Sequence, residues 1–230
     1  MARRLFIVVG LVLIVFGASE LFLPIIMSNA VNQGLMSLTG SDRVSAKLTA
    51  RPAVLMLGGK FDSIQIKADH AKIDKIVFSE MSIALTKTKL DMGKLISSRI
   101  VDFQSIEQVD IIAVVGQDEL GQYLNQAVKG VKNAVVVITP EKIKATSTFA
   151  LGGVVNLPVS LEGKIVSDGQ KIKFVTDRLL INTMNTGNIG GSLLTEIPLV
   201  DANKLPFNVN ARDVVMENGK VTLYLDNHSR

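Results

Sequence analysis

Thirteen consecutive residues, Leu5 to Gly17, carry no polar side chain, and Arg3 and Arg4 stand immediately before them. Gly17, Ala18 and Ser19 follow, with small residues at the positions that a signal peptidase reads. A basic start, an apolar stretch and then small residues is the layout of an export signal. The competing reading is a membrane anchor that is kept. As a helix, Leu5 to Ser19 is about 22 Å long, short of the ~30 Å hydrocarbon layer of a bilayer. Extension to Met27 supplies the length but encloses Glu20, and an acid near the bilayer centre costs about 3 kcal/mol, less toward the boundary. A buried core helix is the third reading. The first two agree on direction. Arg3 and Arg4 stay on the cytoplasmic side, and no further basic residue occurs before Arg43. The chain is therefore expected to divide into 1–27, a signal peptide or N-terminal membrane anchor, and 28–230, a single exported domain. Its expected location is extracytoplasmic, anchored by the N-terminal segment or secreted after cleavage.

The composition removes several function classes. There is no cysteine among the 230 residues, which excludes disulfides, a thiol nucleophile, Cys-ligated zinc or iron–sulfur centres and a lipidated cysteine. Two histidines, His70 and His228, cannot build a His-rich metal site. With 47% hydrophobic and 20% charged residues the chain is too apolar to stay disordered. Its apolar content is mostly Val, Ile and Leu, which favours strands. The net charge of +4 is spread along polar strand faces and is not interleaved with aromatics, so no nucleic-acid partner is expected.

Periodicity orders the rest. Ser28 to Gly40 reads as a helix with Ala30, Val31, Leu35 and Leu38 on one side. The period then changes to two. Val44, Ala46, Leu48 and Ala50 alternate with polar residues and Arg51-Pro52 breaks the strand. Ile64, Ile66 and Ala68 form a second strand, and Met81, Ile83 and Leu85 a third. Asp91 to Ser98 suits one or two helical turns. Val109, Ile111, Ala113 and Val115 form a strand whose other face, Ile112 and Val114, suggests cover on both sides. Gly116 opens a helix with Asp118 and Glu119 in its first turn, followed by the stripe Leu120, Tyr123, Leu124, Ala127 and Val128. A second run of strands follows, with turns at Thr139-Pro140-Glu141, Asp168-Gly169 and Asn218-Gly219. Leu193 to Ile197 reads as a short helix. The order helix, strands, helix, strands indicates an α+β fold with a mainly antiparallel sheet.

Nothing here composes an active site. His70 ends a strand beside Asp69 and Lys72 and reads as a surface histidine, and His228 stands near the C-terminus. Asp118 and Glu119 are explained as helix-start acids. Asp102, Glu107 and Asp110 would point to differing strand faces. Gly187 to Gly191 is glycine-rich but lacks the Gly-Lys-Ser/Thr of a phosphate loop. The expectation is no enzyme, no catalytic residue, no metal and no cofactor.

Three passages carry a resemblance. Arg51 to Ile64, Arg-Pro-Ala-Val-Leu-Met-Leu-Gly-Gly-Lys-Phe-Asp-Ser-Ile, resembles the early passage of the LmeA-type phospholipid-binding proteins of bacterial envelopes. Gln117 to Leu124 is similar to their central helix, with Gln117 where Thr is frequent. Lys204 to Val209 with Asn218 to Val221 resembles their closing passage. The order and spacing of the three carry more weight than any one of them. The resemblance spans roughly residues 28 to 226. It implies a curved, mainly antiparallel sheet wrapped around helices, like the tubular lipid-binding proteins, and a non-enzymatic phospholipid binder at the outer face of the cytoplasmic membrane. The partners it implies are a phospholipid or other acyl lipid and the membrane.

The expected site follows the densest resemblance. Leu55, Leu57, Phe61, Ile64 and Ile66 are expected to line or gate an acyl-binding space, with Leu205 and Phe207 near its mouth. The aliphatic strand stripes suit an ordinary core equally well, so an envelope scaffold or protein-interaction domain without a lipid cavity is the alternative.

Overall fold

The computed structural model describes residues 2–41, 43–73, 75–151, 155–181, 184–185, 196–205 and 208–228. The described strands are mostly antiparallel and the fold is α+β with a curved sheet, as expected. The chain divides into two compact units. Residues 1–68 with 83–109 form the first, and residues 69–82 with 110–230 the second.

The first unit is built on one helix, α1 (Ala2–Thr39), that runs through both the apolar segment and the separate helix expected after it. Phe6, Ile14, Leu21, Phe22, Ile25 and Ile26 are exposed, whereas Met27, Val31 and Leu35 are buried. The helix thus has an apolar end without protein cover and a far end that is core. Gly34 lets the core end pack closely, because a Cβ there would stand 2.6 Å from the Arg99 carbonyl oxygen and 2.8 Å from Val101 Cγ2. Beside it lie β1 (Arg43–Thr49), β2 (Lys60–Ile73) and β3 (Ile76–Leu90) in that order; the first unit takes the latter two up to Ala68 and from Ile83. Strand β1 alternates as expected, with Val44, Ala46 and Leu48 inward. A 3₁₀ turn, Ala53–Gly58, joins β1 to β2. Helix α2 (Met92–Ser98) starts where Asp91 accepts from the Lys94 N–H, and β4 (Phe103–Ser105) pairs with the end of β3.

In the second unit β5 (Gln108–Gly116, from Asp110) is followed by α3 (Gln117–Ala127). Asp118 and Glu119 occupy the first turn of α3, and Leu120, Tyr123 and Leu124 are buried. Val128 has already left the helix with extended backbone angles, one residue short of the expected stripe. Strands β6 (Val131–Ile138), β7 (Ile143–Leu151), β8 (Val155–Ser167) and β9 (Lys171–Ile181) make an antiparallel meander, closed by β10 (Met184–Asn185) and β11 (Glu196–Asp201) on β9. This six-stranded sheet curls at three register shifts, in β6, in β9 at Asp177 and in β11. The β9 shift lies opposite Gly163 of β8, where the Val175 carbonyl leaves no room for a side chain. The Tyr123 hydroxyl donates to the Pro198 carbonyl and ties α3 to β11.

Strands β12 (Asn210–Glu217) and β13 (Lys220–Asp226) form the Asn218-Gly219 hairpin, and β13 pairs with β5. Two expectations change here. Ile112 is 43% exposed, so β5 is covered on one face. Glu196 and Ile197 belong to strand β11, not to a helix; Leu193 to Thr195 lie outside the described residues, as does the Gly187 to Gly191 loop.

Candidate functional site

Each expected site residue has a definite place, apart from Phe207, which lies outside the described residues. Leu55 and Leu57 sit on the 3₁₀ turn, 38% and 55% exposed. Phe61, Ile64 and Ile66 point inward from β2 and are buried in the first unit. These five therefore share one unit, two at its surface and three within. Leu205 is half-buried in the second unit, after the 3₁₀ turn Ala202–Lys204.

The surroundings of the 3₁₀ turn come from residues that periodicity did not single out. The Glu20 carboxylate on α1 accepts the Ala53 N–H at 2.7 Å. Further along α1, the Asn32 side-chain oxygen accepts the Ala46 N–H of β1 at 2.5 Å. The two bonds fix α1 and β1 side by side in opposite directions. Between them lies a groove of about 470 Å³. Pro24, Ile25, Leu48 and Ala50 supply its apolar lining, and Ser28, Asn29, Lys47 and Arg51 its polar one. Asp62 accepts the Arg51 main-chain N–H at 2.8 Å. A signal for this place existed in the sequence: Glu20 is an acid set in an otherwise apolar run, and such residues carry a cost that needs a partner.

The second unit has a larger cleft of about 710 Å³ where the β8–β9 turn meets the start of β12 and the end of β13. Its wall is polar. Asp168 accepts the main-chain N–H groups of Lys171 and Gln170, which together hold its carboxyl below the ordinary range. The ligand atoms of Asp110, Asp226 and His228 lie within 4.8 Å of one another, a spacing that could hold a cation. Asp226, however, already has the Arg212 guanidinium at 3.3 Å and accepts the His228 N–H at 3.2 Å, so its charge is answered within the protein.

The acids considered for catalysis are dispersed. Asp102 pairs with Lys94 at 2.5 Å, whose ammonium it holds above the ordinary lysine range, and Glu107 pairs with Lys87 at 3.0 Å. His70 is exposed and carries a left-handed backbone conformation, φ 53°.

Comparison with known proteins adds one match. The model of a family described as LmeA-like phospholipid-binding matches residues 18–226. No curated protein and no solved structure matches the chain.

Proposed function

We propose that this chain, which belongs to the LmeA-like phospholipid-binding family, is an exported, non-enzymatic phospholipid-binding protein held at the outer face of the cytoplasmic membrane by α1. The family match carries the ligand class. The shape of α1 supports the location. It is continuous through Gly17, Ala18 and Ser19, exposes apolar side chains before Met27, and becomes core afterwards. By length and composition alone the stretch Leu13–Met36 suits a membrane crossing, and since Met27, Val31 and Leu35 are core, the part available to a bilayer is the exposed one before Met27. Cleavage after Ser19 would release most of the exposed part, but Glu20 and everything beyond it would remain with the first unit. A continuous helix supports retention, because a peptidase cleaves extended chain more readily than helix.

In this reading Leu55 and Leu57 are the accessible gate and Phe61, Ile64 and Ile66 the wall behind it. An acyl chain gains about 0.8 kcal/mol for each methylene it buries, which only an apolar wall can provide. The pairing of Asp102 and Glu107 with separate lysines supports a binding role over catalysis. One observation favours a protein partner as well: Val135 and Val137 are 62% and 51% exposed on β6, the last strand of its sheet path.

The test is phospholipid phosphorus bound per chain. The full chain is purified in non-ionic detergent beside a control in which residues 1–39 alone are fused to an unrelated soluble protein. The proposal expects lipid on the full chain after washing that strips the control. Equal, vanishing amounts on both would overturn it.

A further inference from the structure

A phospholipid makes two opposite demands. Its chains need apolar surface, and its phosphodiester needs cations or hydrogen-bond donors. The groove between α1 and β1 offers both, at a definite height on the apolar helix. Leu5 to Ser19 covers about 22 Å, so a ~30 Å hydrocarbon layer takes in roughly five more residues, to about Ile25. The exposure of Leu21, Phe22 and Ile25 fits that boundary. Because β1 runs against α1, its Arg51 end lies toward Glu20 and its Lys47 end toward Asn29. The groove then begins just below the acyl–headgroup boundary, at Glu20, crosses it near Pro24 and Ile25, and rises into the headgroup layer at Ser28 and Asn29.

Its charge has one sign to spare. Glu20 is the one acid in the lining and accepts the Ala53 N–H, and Asp62 beside it accepts the Arg51 main-chain N–H, so both nearby carboxylates are hydrogen-bonded to main chain. Lys47 and Arg51 are exposed, and among the described residues neither side chain is in an ion pair. Ser28 and Asn29 add neutral donors on the α1 side.

We infer that this groove is the headgroup site for an anionic phospholipid taken from the outer leaflet around α1, with Lys47 and Arg51 on the phosphodiester and Pro24 and Ile25 against the first part of the acyl chains. The inference rests on the lipid-binding reading and adds the place and the charge. Arg51 is suited to this because its guanidinium meets a phosphate with two parallel N–H donors. The long stems of both cations keep their charge at the interface while their methylenes lie along apolar surface.

The experiment equilibrates the full chain, in non-ionic detergent, with mixed micelles containing radiolabelled phosphatidylglycerol, and counts lipid retained after gel filtration. Lys47→Glu with Arg51→Glu is expected to weaken retention about tenfold or more, since two charge-assisted contacts become repulsions. Lys47→Arg with Arg51→Lys is expected to retain most of it. Excess inorganic phosphate is expected not to compete, because it lacks the chains. Lys47→Gln with Arg51→Gln, without repulsion, gives an intermediate loss and serves if the reversal shifts the melting transition. Wild-type retention in either neutral or reversed variant overturns the site. Displacement by inorganic phosphate overturns the lipid as its ligand. A wild-type chain that holds no lipid here, and no phosphorus when isolated from its membrane, overturns the lipid-binding reading itself.

Discussion

Within one short passage, Leu57 and Ile64 are both apolar and seven positions apart, yet the structure gives them opposite circumstances. Ile64 is fully buried, whereas Leu57 is 55% exposed. Truncation of Ile64 to alanine removes packed methylenes and leaves a cavity, at about 2–5 kcal/mol. Truncation of Leu57 is expected to stay within about 0.5 kcal/mol, as surface changes do. Chemical denaturation of the two variants checks this, and lipid retention should fall for Leu57→Ala without a matching loss of stability. The alternation that identified Ile64 and Ile66 did not extend back to Phe61, because the inward positions there are three apart, not two. Glu20 is a different case. Its cost in an apolar run was legible, but its partner, the Ala53 N–H, is 33 residues away and depends on tertiary placement.

Elements whose determinants are local were legible. The Asp168-Gly169 and Asn218-Gly219 turns specify hairpins by themselves, and both are present. Strand β1 and the buried stripe of α3 also follow their periods. Elements that exist through their neighbours were not legible. The three-residue β4 is held by the end of β3, and β11 pairs with β9 despite its Pro198. Helix α1 merges two segments that composition separated, because a helix needs no change of backbone where its surroundings change from apolar exposure to core. Gly34 marks the core end. Gly34→Val is expected to push α1 from the Arg99–Val101 segment and destabilise the first unit by several kcal/mol, since the nearest obstacle is backbone. Limited proteolysis should then cut early within residues 83–109 while the second unit stays resistant. Equal resistance of both units would contradict the packing of α1.

For the molecule as a whole, charge and apolarity are distributed as the proposed function, phospholipid binding by a chain that keeps α1, requires. A family match over residues 18–226, a helix that exposes apolar side chains before Met27, and a groove whose Lys47 and Arg51 form no ion pair among the described residues point the same way. The fold class was legible because alternating aliphatic stripes and turn residues dictate antiparallel strands, whereas the groove was not, because it arises between an N-terminal helix and a strand read as separate segments. Native mass spectrometry of the protein taken from its own membrane in detergent tests both halves of the central claim in one spectrum. The account predicts the 24.8 kDa chain with α1 intact, carrying one added mass in the phospholipid range that the Lys47→Glu, Arg51→Glu variant loses. A chain that begins at Glu20, or one that keeps α1 and flies bare under the same conditions, would contradict it.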